Sequence, residues 1–279
     1  MCIRDRFPLE HLGMGLNYLQ GPPKLKIHID KSENLEKINA IGDATKFYQF
    51  QADALNLLKD QLPQGTSLLG FVGAPFTLFS YAACGAHAGA LLPAKSGLYD
   101  GRFDQFWEHL YPSLLEEIRV QAKTNPTAIC LFDTAVGELC LEDYKTFIVP
   151  RLNELLKPVK KEFPDLKIIY YSRNTQASYF RTLVDTPIDV IGVDWRNSLE
   201  AILDEFSERF YIQGNIDPTW LFLPWDKLHS HLNDFEARMS DVNDKWDKWI
   251  FGLGHGVLPK VPEENVRKTV EWVKRTLHY

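Results

Sequence analysis

The sequence predicts an α/β fold built on a parallel sheet. Three observations predict it. Six short apolar runs recur along the chain, each near-continuous rather than alternating. Between them lie stretches with apolar residues three and four positions apart. Polar residues gather directly after the runs. Continuous apolar runs suit strands buried on both faces, as in a parallel sheet; a half-exposed antiparallel strand would alternate. Buried strand followed by amphipathic helix, repeated, marks the α/β class.

Residues 7–66 read as a loop and then a helix from about residue 35 to residue 62. The first run, 68–72 (Leu-Leu-Gly-Phe-Val), leads into Gly73-Ala74-Pro75. Run 128–132 leads into Asp133 and Thr134, and run 168–171 into Ser172, Arg173 and Asn174. Run 190–193 leads into Asp194, Trp195 and Arg196. Run 210–212 leads into Gln213, Gly214 and Asn215, and run 249–253 into Gly254, His255 and Gly256. Helical spacing is clear over 103–121, where Phe103, Phe106, Trp107, Leu110, Leu114, Leu115 and Ile118 share a face. It recurs over 141–163. Residues 262–277 begin with Pro262 and two glutamates and end near Lys274 and Arg275, matching helix-terminus preferences.

A closed (β/α)8 TIM-type barrel needs eight βα units. Six are visible, so either two are missing at the N-terminal side or the sheet is open, with strand edges that favour aggregation. No repeat, linker or domain boundary is visible after residue 67. Residues 7–279 therefore read as one incomplete barrel domain, and residues 1–6 as foreign or unstructured.

Composition narrows the functional classes. The chain has 279 residues, with 31 basic and 37 acidic side chains and a net charge of −6. An acidic balance argues against a dedicated nucleic-acid binder, though a local basic pocket can still take an anion. Cys2, Cys84, Cys130 and Cys140 contain no CxxC pair and read as reduced, buried thiols of a cytosolic protein. Met1 to Arg6 has no apolar core and is not a secretory signal. No Asp, Glu, Lys or Arg falls between Asp60 and Lys95. Gly70, Gly73, Pro75, Gly85 and Gly89 interrupt that stretch, which reads as a buried strand, a loop and a helix start rather than a membrane span.

Common catalytic signatures are absent: there is no HExxH, GxSxG or GxxxxGK[ST]. Gly252-Leu-Gly254-His-Gly256 misses GxGxxG by one place. No His/Cys cluster has metal-ligand spacing. The polar residues after the strands suit an anionic organic ligand. Arg173, Arg196 and His255 can pair carboxylates, and Gly73 and Gly256 permit close backbone approach. Phe71, Phe76, Tyr81 and Trp195 can line an apolar pocket, although Phe71 and Phe76 suit a core equally well. A histidine between two glycines on a strand-end loop lacks the bulky neighbours of a packing histidine.

The ordered set of segments resembles the uroporphyrinogen decarboxylase family. Leu69-Gly-Phe-Val-Gly-Ala-Pro-Phe-Thr-Leu-Phe-Ser-Tyr81 is similar to its GF-(A/V)-G-A-P-(W/F)-T-L-x-x-Y segment. Phe132-Asp-Thr-Ala-Val-Gly-Glu-Leu139 is similar to F-(D/E)-(S/T)-x-x-G-x-L, and Val190-Ile-Gly-Val-Asp-Trp195 to V-x-G-(L/V)-D-W. Gln213-Gly-Asn-Ile-Asp-Pro218 is similar to QGN-(L/I)-DP, and Gly252 to Pro259 to LGHG-x-x-P. Leu12-Gly-Met-Gly15 and Gly21-Pro22 also fit. The resemblance implies a (β/α)8 barrel working as a cytoplasmic homodimer without metal or organic cofactor. It implies conversion of the four acetate side chains of uroporphyrinogen III to methyl groups, giving coproporphyrinogen III for haem synthesis. Tyr81, Thr134 and His255 match the family's substrate-contacting residues, with Tyr81 the catalytic candidate. Phe71 matches a pocket-lining phenylalanine, and Arg173 joins the set as a carboxylate partner.

The chain departs from the family at its start. It contains no R-Q-A-G-R segment, whose arginines bind carboxylates. The position of the family's pyrrole-binding Asp falls on Arg4, with Asp5 one place off. The two βα units that strand counting finds missing would hold these residues. Two alternatives follow. One is a non-catalytic tetrapyrrole-binding relative. The other is a cobalamin-dependent methyltransferase-like protein of the same fold, against which stands the lack of any cysteine beyond Cys140.

Overall fold

The computed structural model describes residues 6–17, 24–239 and 245–277. The chain divides into two compact units, Met1–Asp189 and Val190–Tyr279. Each is a run of parallel strands and helices.

The first unit opens with a short helix, α1 (Phe7–His11). A two-residue antiparallel ladder follows, β1 (Leu16–Asn17) with β2 (Lys24–Leu25). Helix α2 spans Ala44–Lys59 and is capped by Asp43, whose carboxylate accepts from the Lys46 N–H at 2.9 Å. The expected helix from residue 35 is thus corrected: Ser32–Lys37 is a separate 3₁₀ turn, and Gly42 at φ 70° breaks the path before the cap. Strand β3 (Leu69–Gly73) passes directly into α3 (Pro75–Cys84). The loop expected there is absent, because Pro75 is pre-set for the first helical position. Gly85 ends α3 in the left-handed region at φ 67°.

Helices α4 (Leu92–Tyr99) and α5 (Arg102–Ala122) follow. Phe79 of α3 packs between Phe103 and Phe106 of α5, with ring centroids 5.0 and 5.5 Å away. Next come β4 (Ala128–Asp133) and α6 (Leu141–Asp143), the latter running through a π turn into α7 (Val149–Glu162). The unit closes with β5 (Lys167–Ser172) and α8 (Ala177–Phe180). Strands β3, β4 and β5 pair in parallel, with Gly73 opposite Phe132 and Asp133 opposite Ser172. Among the described residues β3 has β4 as its one partner strand. On its other edge the Gln121 side-chain amide serves both main-chain groups of Phe71, at 2.9 and 3.0 Å. That amide stands in for a strand at one position of the edge.

The second unit contains β6 (Val190–Gly192), α9 (Leu199–Phe206), β7 (Tyr211–Ile216), α10 (Trp225–Met239), β8 (Trp249–Leu253) and α11 (Glu263–Thr276). Its strands pair in parallel in the order β6, β7, β8. Strand β7 runs beyond its apolar run, because Gln213, Gly214 and Asn215 keep register with Ile250, Phe251 and Gly252. The six parallel strands and their helices are of the α/β, TIM-barrel type that the sequence predicts. No described helix is long and apolar enough to cross a membrane. Cys84, Cys130 and Cys140 are free thiols; Cys130 is buried, Cys84 half-buried and Cys140 exposed, so burial holds for only part of the expected set.

Candidate active site

In the first unit, strand alternation sorts the residues at the ends of β3, β4 and β5 onto two faces. Val72, Leu131, Asp133, Tyr170 and Ser172 are buried. Phe71, Phe132 and Tyr171 face the other way and are half-buried. Their rings form a row, with centroids 6.1 Å apart from Phe71 to Phe132 and 6.2 Å from Phe132 to Tyr171. Phe71 thus belongs to an open aromatic face rather than to the core, while Phe76 is fully buried in the core. Sequence reading missed Phe132 and Tyr171; their period-two spacing from the buried set was the available signal.

Thr134 and Arg173 are the first residues beyond the registered pair Asp133 and Ser172. The register therefore brings these two predicted residues to neighbouring strand ends. Both are half-buried. Among the described residues, Nε of Arg173 is buried with no hydrogen-bond partner. Gly137 lies against the same loop: a Cβ there would sit 2.0 Å from the Arg173 carbonyl oxygen. Only glycine allows that approach.

Tyr81 sits on α3, one turn after Thr77, and is 1% exposed. Its hydroxyl lies 3.0 Å from Nδ1 of His87. The Arg6 guanidinium stacks over the Tyr81 ring, 3.6 Å from its centroid. Neither His87 nor Arg6 belongs to the sequence-derived set, and no motif points to them. Arg4 and Asp5, where the family's Asp would fall, lie outside the described residues.

Asp133 is fully buried. Its Oδ1 accepts from the Thr77 N–H at 3.0 Å and the Thr77 hydroxyl at 2.9 Å. Its Oδ2 accepts from the Tyr170 hydroxyl at 2.9 Å. Tyr144 donates in turn to Tyr170 at 3.2 Å. Burial pushes the Asp133 carboxyl up to about 6, against the opposing pull of these hydrogen bonds. Burial likewise raises both tyrosine hydroxyls.

In the second unit, Asp194 is buried and accepts from the Arg196 N–H at 2.9 Å. The Arg196 guanidinium pairs with Oδ2 of Asp194 at 2.8 Å and stacks 4.4 Å over Trp195. The expected carboxylate partner Arg196 therefore already holds a carboxylate of its own chain. Asn215 donates to the carbonyls of Asp194 and Asn197 at 3.1 and 2.8 Å, joining the ends of β6 and β7. Trp195, Asn215, Asp217 and Trp220 line a cavity of about 490 Å³. His255 follows β8 and is half-buried. Gly254 beside it packs against the β6 end, where a Cβ would lie 2.7 Å from the Trp195 nitrogen. A Cβ on Gly256 would meet open space.

Chemically, the first unit offers an aromatic face with a hydroxyl and a guanidinium at adjoining strand ends, while the Tyr81 phenol is buried apart from that open face, between Arg6 and His87. That set can hold an aromatic molecule bearing carboxylates. Among the described residues no three His, Cys, Asp or Glu side chains come together to hold a metal.

Comparison with known proteins follows the same line. Residues 5–276 match the family model described as uroporphyrinogen decarboxylase (URO-D). A uroporphyrinogen decarboxylase of Staphylococcus epidermidis is 31% identical over 271 residues, covering 95% of this chain and 74% of that protein. One from Chloroherpeton thalassium is 28% identical over 268 residues, covering 95% and 75%. Among solved structures, a methyltransferase from Methanosarcina mazei aligns with a TM-score of 0.68 at 13% identity. It covers 97% of this chain and 77% of its own, a likeness of fold alone.

Proposed function

The chain belongs to the uroporphyrinogen decarboxylase family, and from that premise we propose that it is a carboxy-lyase that converts uroporphyrinogen III to coproporphyrinogen III in haem biosynthesis. The observation that carries this reading is the family match over residues 5–276, which runs through every strand end bearing a candidate residue. The unpartnered, buried Nε of Arg173 supports an acidic substrate, since a buried donor needs an acceptor.

Each of four acetate groups loses CO₂. Protonation of the ring carbon next to the one that bears the acetate makes the ring an electron sink, a conjugated iminium. The bond to the carboxylate then breaks, its electron pair moves into the ring, and CO₂ leaves an exocyclic methylene. Protonation of the methylene and loss of the ring proton give the methyl group. The net change per acetate is uptake of one proton and release of one CO₂, so no electron-accepting cofactor is required. In this scheme Tyr81 and His255 orient substrate carboxylates by hydrogen bonds, Thr134 adds a hydroxyl, and Arg173 pairs a carboxylate. Phe71, with Phe132 and Tyr171 beside it, lies along the pyrrole rings. The working form is a cytoplasmic homodimer, as family membership suggests.

The test is anaerobic incubation of the purified protein with uroporphyrinogen III, followed by oxidation and chromatography of the porphyrins. Products with seven, six, five and four carboxylates are expected. Recovery of the octacarboxylate alone, together with tight porphyrin binding, would replace this reading with a non-catalytic tetrapyrrole binder.

A further inference from the structure

We propose that Asp133 is a positioning residue that sets Tyr81 against Thr134, acting through the Thr77 hydroxyl; the functional weight of this rests on the assignment of Tyr81 and Thr134 to the substrate site. The two residues come from different segments, α3 after β3 and the loop after β4. Four hydrogen bonds join those segments where the chain leaves the sheet. The Ala74 N–H donates to the Phe132 carbonyl at 3.0 Å. The Thr77 N–H donates to Asp133 at 3.0 Å. The Thr77 hydroxyl donates to Asp133 at 2.9 Å and accepts from the Ala135 N–H at 3.0 Å. Thr134 is thus bracketed: the residue before it and the residue after it are both tied to Thr77. Tyr81 lies one helical turn beyond Thr77 on the same helix, so its place follows that of the first turn. Thr77 and Asp133 are both fully buried, so water does not compete for these bonds.

The donors leave one role for Asp133. Three hydrogen-bond donors converge on its two oxygens, from Thr77 twice and from Tyr170 once. A carboxylate accepts all three, while an amide would turn an N–H toward one of them. Tyr144 donates to Tyr170, which fixes the direction of the chain: Tyr144 to Tyr170 to Asp133. Asp133 is therefore held from behind by two tyrosines and holds Thr77 in front. Its two oxygens are taken up by these donors, so its effect on turnover runs through Thr77.

The test uses 3-fluorotyrosine at position 81 and three variants, Thr77→Val, Thr77→Ser and Asp133→Asn, on the full chain. Thr77→Val keeps the shape and removes the hydroxyl. Thr77→Ser keeps the hydroxyl. In folded protein, judged by near-ultraviolet circular dichroism, the ¹⁹F resonance is expected to move in Thr77→Val and Asp133→Asn and to return in Thr77→Ser. Turnover of uroporphyrinogen III should follow it, with kcat lower by on the order of 10²-fold in Thr77→Val, as for a displacement of about 1 Å. Thr77→Ser should stay within about threefold of the parent, a difference of ~0.7 kcal/mol. A ¹⁹F resonance unmoved in folded Thr77→Val would overturn the proposal, even where Asp133→Asn fails to fold. Absence of turnover in the unsubstituted protein would instead count against the decarboxylase reading, leaving the spectroscopic comparison to decide the positioning role.

Discussion

Each unit ends a strand segment on a buried aspartate, and the two are stabilised in opposite ways. Among the described residues Asp133, at the end of β4, meets neutral donors only: the Thr77 main chain and hydroxyl and the Tyr170 hydroxyl. Its carboxyl rises to about 6 because burial outweighs those bonds. Asp194, just past β6, meets a guanidinium at 2.8 Å that is itself 43% exposed. One carboxylate is a dry hub that binds two segments together. The other is half of an ion pair whose cation reaches solvent. The same residue type, at the same point of the βα plan, thus acquires its electrostatic character from its partner.

Removing the hub should have the largest effect. Asp133→Ala strands three buried donors and leaves a void, and should cost about 3–5 kcal/mol of unfolding free energy in urea titration. A loss below about 1 kcal/mol would mean that the network is replaced by water at no cost. Second comes pH. The Asp133 carboxyl sits at about 6 when folded against an ordinary 3.8. The folded state therefore binds more protons between those values, and stability falls as pH rises through that window, by up to ~3 kcal/mol. Unfolding curves of the parent and Asp133→Asn should diverge from pH 4 to 7; parallel curves would remove the distinction drawn between the two aspartates.

Gly254→Ala tests the Asp194 side without touching its charge. The new Cβ would meet the Trp195 nitrogen at 2.7 Å and the Asp194 Cα at 3.0 Å, both backbone. A cost of about 1–3 kcal/mol is expected, and Gly256→Ala, facing open space, should lie within about 0.5 kcal/mol of the parent. Equal melting temperatures for the two variants would contradict the packing. Smallest is Arg196→Ala. Solvent screens the exposed guanidinium and Asp194 keeps the Arg196 N–H, so about 1 kcal/mol is expected. That loss should shrink at high salt; a salt-independent loss would assign it to lost packing on Trp195.

All six parallel strands were legible in the sequence, because each carries a near-continuous apolar run, although burial on both faces fails at the aromatic face of β3–β5 and along β8, where most residues are only half-buried or exposed. So was α5, whose buried face repeats over 21 residues. Helices α4, α9 and α10 escaped, and α3 was legible only as a helix start after a loop. In α3, residues 75–83 are all buried, which erases the amphipathic period. In α9 the pattern spans only 8 residues. The strand-end positions of Thr134, Arg173 and His255 were legible too, since each directly follows an apolar run. Their surroundings were not: His87 and Arg6 on Tyr81 have no local signature, and Arg196 was free in sequence but is paired in the fold.

By itself, then, the sequence determined the order of strands and helices and which residues stand at the strand ends, because both follow from local hydrophobic period and turn chemistry. Tertiary structure alone decided the partners of those residues. Thr77 and Asp133 stand 56 positions apart, and Asp133 and Tyr170 37 apart. No local pattern couples residues at such separations; parallel strand register and burial from water do.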